Sequence, residues 1–374
     1  QYIFYLFLNI LYLNCRHNRI GGYSLKVVAT IALTPGMILG EDIVFQGNVV
    51  FPSGTQLTRP IIDKLNRYGI MCATVMEDID FAKTHYEKIR FDDAFKRFEA
   101  TYNSVLMRYK FSIFSFLKTG VQVPDHALIE FYDEIVKTIS SNATLLDYLY
   151  NMMPNEDELT FTHCLNSALL AGAVADWISM DAESKRTLIL CGFYYDIGKL
   201  QLPYTILWKS GKLTPEEFRM VQTHPIVGYN LTRNLMLNEH VRNSIIMHHE
   251  RLDGSGYPYH LVGQQIDAYA RYIAIIDAYI AMGSPRSYRN ALTPLQILGN
   301  FEADMSKFDA GLLIPVMKRI ADAQIGAKVQ TNDNRIWEVL IIHPNKFSRP
   351  ILKNEENELL DLAEHPEFEI VKMV

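Results

Sequence analysis

The sequence has few cysteines, and none of them belongs to a CxxC pair. The four residues, Cys15, Cys72, Cys164 and Cys191, are scattered over 374 positions. Disulfide scaffolds and all-cysteine zinc sites need cysteines that are denser or more regularly spaced. The pattern excludes both classes and predicts free thiols in a reducing, cytoplasmic setting.

An excess of positive charge is also missing, because the formal net charge is −6 at pH 7. Such a chain has no general affinity for the backbone of DNA or RNA polymers or for anionic membranes. A local basic pocket for one small anionic ligand remains compatible with this balance. Hydrophobic residues at 49% and charged residues at 21% are typical of a globular protein, and the length allows two or three domains.

The sequence lacks an apolar run of the roughly 20 residues that cross a bilayer. The most apolar stretch, QYIFYLFLNILYLN at 1–14, is shorter and lacks the basic start and cleavage site of a secretory signal. Two interpretations stay open for it: part of a truncated membrane helix, or a strand or helix with ordinary packing. The ordered protein is predicted to be soluble.

Changes in the hydrophobic period divide the chain into five segments. They are an apolar segment of uncertain role (1–23), a small α+β module (24–77), a helical connector (78–150), a helical domain (151–323) and a β-rich tail (324–374). The connector is a candidate for homodimerisation, and Asn332 to Asn334 predict a hairpin turn in the tail. The predicted fold class is therefore mainly α, with a small α+β module before the helical domain and a short β-rich tail after it.

Several histidines and aspartates stand at core-like or clustered positions of the helical domain: His163, Asp196, His224, His248, His249 and Asp277. A lone histidine on an apolar face is more often a core residue than a ligand, so each position alone is a weak signal. Buried carboxylates need partners, however, and histidines are the available ones. Histidine and carboxylate ligands together suit Fe, Mn or Zn with open positions for water. Such a site makes a hydroxide nucleophile and acts as a Lewis acid on a phosphoryl group.

Two short motifs accompany these residues. CGFYYDIGKLQLP at 191–203 places Asp196 and Lys199 one helical turn apart in an otherwise apolar run. HHERLDGSGYP at 248–258 begins with two adjacent histidines and continues with two glycines and a proline. Glycines and a proline at this spacing are typical of a tight loop after a helix. The combination of both motifs goes beyond what a tight loop explains.

Taken in order, these elements resemble the HD-GYP domains, a bacterial branch of the HD phosphohydrolases. The resemblance covers roughly 155–322, and a composite motif of this length has a low risk of a chance match. It implies an all-helical domain with a buried metal site that hydrolyses cyclic di-GMP to the linear dinucleotide pGpG, and often on to GMP. The matching parts are His163, YDIGK at 195–199, the segment ending at His224-Pro225, HHERLDGSGYP, the helix around Asp277, and PRSYR at 285–289.

The resemblance also implies a role for each residue. The four histidines and two aspartates named above fall on metal-ligand positions, and Asp196 is the carboxylate that bridges two ions. Lys199 matches the lysine that contacts the scissile phosphate, so Lys199 and Asp196 are the predicted catalytic residues. Tyr257 lies near the ligand, and Arg286 and Arg289 meet its phosphates or bases. The implied cofactor is a divalent transition metal, Fe or Mn, as one or two ions.

The sequence departs from the family at Tyr195, where the His-Asp dyad has its histidine. A phenol has a pKa of about 10 and ligates readily only where a strongly charged metal such as ferric iron lowers it. The simplest interpretation is a weakened metal at that position, held by His163, Asp196, Asp277 and water. Members with three metals carry a glutamate four residues before the first histidine. Leu159 stands there instead, which argues against a third ion.

Two functional hypotheses follow from the ligand set. The first is a cyclic di-GMP phosphodiesterase, active or of reduced activity, in which Lys199 stabilises the phosphoryl charge. The second is a catalytically silent receptor whose pocket binds cyclic di-GMP or another nucleotide. A third and weaker interpretation is a structural module with a vestigial site. The retained ligands favour metal binding, whereas Tyr195 argues against full turnover.

Overall fold

The structure is a computed structural model. It describes residues 19–20, 23–35, 37–45, 48–51, 55, 57–77, 89, 92–152, 159–207, 209, 212–284 and 291–374. The apolar stretch 1–14 and the pair Arg286 and Arg289 lie outside the described residues. Two compact units divide the chain at residue 83, and each is presented by itself.

The N-terminal unit is a small α+β module. Its four-stranded sheet has the order β1-β2-β6-β3, and β4 and β5 form a separate hairpin. One helix, α1, follows the hairpin and ends before Gly69, which takes a φ of 68°. The core of this unit consists of aliphatic residues such as Leu39, Leu57, Leu65 and Val75. The elements are β1 (Arg19–Ile20), β2 (Tyr23–Ala29), a 3₁₀ turn (Thr30–Ala32), β3 (Ile38–Leu39), β4 (Ile43–Phe45), β5 (Asn48–Phe51), α1 (Arg59–Arg67) and β6 (Cys72–Glu77).

The second unit is mainly helical. Its α-helices are α2 (Asp93–Thr119), α3 (Asp125–Val136), α4 (Asn142–Asn151), α5 (Leu159–Trp177), α6 (Ala182–Tyr194), α7 (Tyr204–Leu207), α8 (Pro215–Val221), α9 (His224–Thr232), α10 (Glu239–Met247), α11 (Ala268–Gly283), α12 (Pro294–Ala303) and α13 (Ala310–Asp322). Short 3₁₀ turns lie at Ile197–Gln201, Gly263–Gln265 and Met305–Lys307. Among the described residues, no helix combines the length and the apolarity that crossing a bilayer demands.

Helices α5 and α6 form the centre of this unit. Every residue from Phe161 to Ala175 and from Thr187 to Gly198 is buried. A helical segment that is apolar all round must be covered on every side, and these buried parts of α5 and α6 pack against each other and against their neighbours. Asp181 starts α6 by accepting hydrogen bonds from two backbone amides of its first turn. Polar side chains on α5 and α6 are consequently placed in the interior.

The tail is an antiparallel sheet with the order β10-β9-β8-β7-β11. It shares one apolar core with the helices, and α12 contacts it directly: Gln296 donates a hydrogen bond of 3.0 Å to the carbonyl of Ile370. The hairpin turn lies where the sequence predicts it, and Asn334 has a φ of 67° there. The strands are β7 (Lys328–Thr331), β8 (Ile336–His343), β9 (Lys346–Lys353), β10 (Leu359–Asp361) and β11 (Ile370–Met373). The observed architecture confirms the predicted fold class.

Candidate metal centre

Five elements of the helical unit converge on one buried cluster. His163 lies on α5, Asp196 lies between α6 and the following 3₁₀ turn, and His224 is the first residue of α9. His248 and His249 follow the end of α10, and Asp277 lies in the middle of α11. The six side chains, predicted from the sequence as one set, are brought together here although they span more than a hundred positions.

The cluster consists of two groups that share one aspartate. In the first group, one ligand atom from each of Asp196, His224, His248 and His249 lies within 4.8 Å of every other. The same criterion defines the second group, which contains His163, Asp196 and Asp277. All of these side chains are buried except His249, whose side chain is 16% exposed. Each group has the donor types of a transition-metal site.

Backbone carbonyls fix the tautomers of two histidines. Nδ1 of His224 lies 2.6 Å from the carbonyl oxygen of Val221, and Nδ1 of His248 lies 3.0 Å from that of Ile245. A carbonyl oxygen has no proton, so both Nδ1 atoms must donate, which leaves Nε2 of each ring as the nitrogen that can bind a metal. The two Nε2 atoms are 3.0 Å apart. Two lone pairs at this distance repel each other unless a cation lies between them.

The carboxylate of Asp196 adds a third acceptor to the same place. Its Oδ1 is 3.1 Å from Nε2 of His224 and 3.6 Å from Nε2 of His248, and it has no hydrogen-bond donor in the described part of the chain. A buried acceptor without a donor is costly. Metal–nitrogen distances of about 2.0–2.1 Å place neighbouring ligand atoms roughly 3 Å apart, as found here. The chemistry and spacing of these donors therefore fit a bound transition metal.

The other oxygen of Asp196 is satisfied. The ammonium of Lys199 donates a hydrogen bond of 2.6 Å to Oδ2. Burial alone would raise the pKa of Asp196, but the ammonium of Lys199 holds that pKa well below its usual range. Because the side chain of Lys199 is 21% exposed, its ammonium is also within reach of an incoming ligand. The carboxylate is therefore ionised and has one free edge.

In the second group, Asp277 is the shared hydrogen-bond acceptor. Its Oδ1 accepts hydrogen bonds from Nε2 of His163 at 2.8 Å and from the hydroxyl of Tyr195 at 3.3 Å. The Tyr195 hydroxyl also lies 3.0 Å from the hydroxyl of Ser167. Burial opposes ionisation of Asp277, yet the hydrogen bond from His163 keeps its pKa below the ordinary value. Burial and the two carboxylates raise the pKa of Tyr195, so its side chain is a neutral phenol.

The HHERLDGSGYP loop closes one side of the centre. The ring of Tyr257 stacks on His249 with 4.6 Å between ring centroids. Glu250 is 2% exposed, and its two oxygens accept hydrogen bonds from the backbone amides of Tyr259 and Leu261 at 2.7 and 3.0 Å. Burial lowers the pKa of His249 well below its ordinary value. Glu250 thus anchors the loop that presents Tyr257, and His249 is a neutral ligand candidate.

Three features of the centre escaped sequence reasoning. Ser167 stands four residues after His163, a spacing that shares one helix face, and this spacing was the available signal. The contact of Lys199 with Asp196 was not foreseen. Gly198 is a third feature, because a Cβ there would lie 2.0 Å from the carbonyl oxygen of His224. That glycine brings α9 and its histidine close to Asp196.

Comparison with known proteins agrees with the geometry. Residues 147–312 match the family model described as HD domain. The cyclic di-GMP phosphodiesterase PA4108 of Pseudomonas aeruginosa is 29% identical over 243 residues, which are 65% of this chain and 58% of that protein. The cyclic di-GMP phosphodiesterase response regulator RpfG of Xanthomonas campestris is 37% identical over 33% of each chain. The 3'3'-cGAMP-specific phosphodiesterase 1 of Vibrio cholerae is 33% identical over 46% of this chain and 39% of its own.

The chain thus spans between a third and three fifths of the length of these curated relatives. Among solved structures, an HDG"Y"P protein from Bdellovibrio bacteriovorus aligns with a TM-score of 0.49 and 15% identity, over 78% of this chain and 98% of that one. Residues 147–312, which contain the buried histidine–aspartate cluster, are thus similar to HD domains. The relatives from Pseudomonas aeruginosa and Xanthomonas campestris are both named as cyclic di-GMP phosphodiesterases.

Proposed function

We propose that this protein is a metal-dependent phosphodiesterase that hydrolyses cyclic di-GMP to pGpG, to GMP or to both. Its turnover is reduced because Tyr195 replaces the histidine of the family dyad. Relatives whose printed names are cyclic di-GMP phosphodiesterase support the substrate. One observation carries the proposal: three buried acceptor atoms converge without a donor, beside the ammonium of Lys199.

The residues present support this chemistry. Asp196, His224, His248 and His249 would hold the metal, iron or manganese, which would supply positive charge and activate the attacking water. The ammonium of Lys199 is held at Oδ2 of Asp196 and neutralises the charge that develops on the phosphoryl oxygens.

The remaining contacts to the ligand come from one ring and two guanidinium groups. Tyr257 is partly buried and presents its ring beside His249, where a nucleotide base stacks. Arg286 and Arg289 bind the phosphates or bases of the ligand.

The test is a hydrolysis assay on the purified full chain, loaded with Mn²⁺ or, without oxygen, with Fe²⁺. Chromatography separates cyclic di-GMP from pGpG and GMP, and 3'3'-cGAMP is assayed in parallel. Lys199→Ala is expected to lower kcat by about 10²–10³-fold, as for other charge-stabilising groups. His248→Asn is expected to abolish both turnover and metal binding. The matched controls are the exposed residues Lys118→Ala and His126→Asn, which keep wild-type rates.

The outcomes separate the enzyme from the receptor. Product formation that depends on metal and on Lys199 supports the phosphodiesterase. Tight binding of cyclic di-GMP without product in the metal-loaded protein would contradict it and leave the silent receptor. Faster hydrolysis of 3'3'-cGAMP than of cyclic di-GMP would correct the substrate while keeping the reaction.

We also propose a cytoplasmic location and a homodimer formed through the helical connector (78–150). Cys72, Cys164 and Cys191 are free thiols, which supports a reducing compartment. The long helix α2 lies in the connector and exposes Met107, Phe111 and Phe114 at helical spacing, which supports association. Sedimentation of the full chain measures the oligomeric state.

A further inference from the structure

The two ligand groups of the centre differ in their protonation pattern and in the state of their carboxylates. We propose that the centre binds a single metal ion, held by Asp196, His224, His248 and His249. In this proposal Tyr195 converts the other position, around His163 and Asp277, into a metal-free hydrogen-bonded cluster. The inference rests on the proposed function only in taking these residues as metal ligands.

The two oxygens of Asp196 point to different partners. Oδ1 faces Nε2 of His224 and of His248 and has no donor among the residues that the structure describes. Oδ2 is the oxygen nearer to His163, 3.8 Å from its Nε2, and it already accepts the short hydrogen bond from Lys199. A bridging role for Asp196 would require Oδ2 to exchange this ammonium for a second metal ion. Of the two Asp196 oxygens, only Oδ1 lacks a donor within the described ranges and would be stabilised by a metal ion.

The histidines of the two groups expose different atoms. His224 and His248 donate through Nδ1 to backbone carbonyls, so each offers a bare Nε2 to an ion. His163 instead directs Nε2 at Oδ1 of Asp277, at 2.8 Å. A carboxylate only accepts, so this Nε2 carries the proton and has no lone pair for a metal. In the second group, the nitrogen of His163 that would bind a metal is instead used in a hydrogen bond to Asp277.

Tyr195 completes this second group. Its phenol is fully buried and donates to Oδ1 of Asp277, which leaves the hydroxyl of Ser167 to donate to the phenol oxygen. The ring centroid lies 5.9 Å from that of His163 and 4.9 Å from that of His248, so the ring contacts one histidine of each group. Asp277 therefore has two donors on one oxygen and an aromatic neighbour where the family has an imidazole.

Metal stoichiometry tests the proposal directly. The full chain is loaded with excess Mn²⁺ and desalted, and the ions per chain are counted by mass spectrometry. Wild type is expected to retain one ion, and so is His163→Asn, whereas His248→Asn is expected to retain none. Tyr195→His is expected to retain two. Two ions in wild type, loss of the ion in His163→Asn, or a single ion in folded Tyr195→His would each overturn the proposal.

A second readout covers a Tyr195→His chain that does not fold. Electron paramagnetic resonance of bound Mn²⁺ is expected to show the six-line signal of an isolated ion in wild type and in Tyr195→Phe. Tyr195→Phe keeps the ring and removes only the hydroxyl, so an exchange-coupled two-ion signal in either protein would refute the proposal. These readouts do not depend on turnover. A chain with one ion and no hydrolysis keeps this inference and removes only the proposed enzyme activity.

Discussion

Gly198 allows the 3₁₀ turn that follows Asp196 to pack closely against the start of α9, which carries His224. It lies in the 3₁₀ turn after Asp196, and a Cβ at this position would meet the carbonyl oxygen of His224 at 2.0 Å and the amide nitrogen of Gly228 at 2.6 Å. Both neighbours are backbone atoms, which cannot rotate away. Gly198→Ala must therefore separate the turn from α9 by at least 1 Å before the contact reaches 3.0 Å.

Two consequences of this separation can be measured. Overpacking a buried contact costs typically about 1–3 kcal/mol, and we expect the free energy of unfolding to fall by at least this much. A displacement of about 1 Å in a reacting group costs on the order of 100-fold in rate. We expect Gly198→Ala to bind Mn²⁺ more weakly and to lose about this factor in hydrolysis. Urea denaturation and calorimetric metal titration give both quantities.

Gly299 provides the matched control. It lies inside α12, and a Cβ there would meet the side chain of Ser348 at 3.5 Å, an ordinary contact. Gly299→Ala is expected to leave metal affinity unchanged and to raise the free energy of unfolding by up to about 1 kcal/mol, because alanine is the better helix former. Wild-type stability and metal affinity in Gly198→Ala would refute the close-approach argument.

Three further substitutions test other contacts. Glu250→Gln replaces one of the two oxygens that accept from loop amides with a donor. We expect the free energy of unfolding, measured by urea denaturation, to fall by about 1–3 kcal/mol and the KM for the nucleotide to rise. An unchanged KM would show that Glu250 does not position Tyr257. Arg349→Met removes a guanidinium that donates to three backbone carbonyls of the tail. We expect a lower Tm in one cooperative transition, whereas a separate early transition would contradict the shared core. Tyr102→Phe deletes a buried hydrogen bond of 2.6 Å to Asn166 and is expected to cost about 1–2 kcal/mol.

The sequence predicted the fold where local patterns determine it. The apolar run around Asp196 predicted a buried position for this carboxylate, and the asparagine-rich turn predicted the hairpin of β7 and β8. The assignment of metal-ligand roles to the clustered residues, and the five-segment division of the chain, remain predictions. The long-range contacts could not be predicted from the sequence. The Tyr195 hydroxyl contacts Ser167 and Asp277, which are 28 and 82 positions away. The meaning of the substitution depends on these contacts, and no local period encodes them.

The opposed Nε2 atoms of His224 and His248 have a thermodynamic consequence. Carbonyls of the surrounding helices hold both rings so that their lone pairs face each other. Folding of the metal-free chain therefore works against a repulsion that a cation removes, and the free energy of unfolding becomes a function of cation concentration. An ion present at 100 times its Kd adds about 2.7 kcal/mol. Replacing either histidine with an apolar residue of similar size would relieve the repulsion and abolish metal binding. The stability of the metal-free chain therefore favours an apolar residue here, whereas metal binding requires histidine.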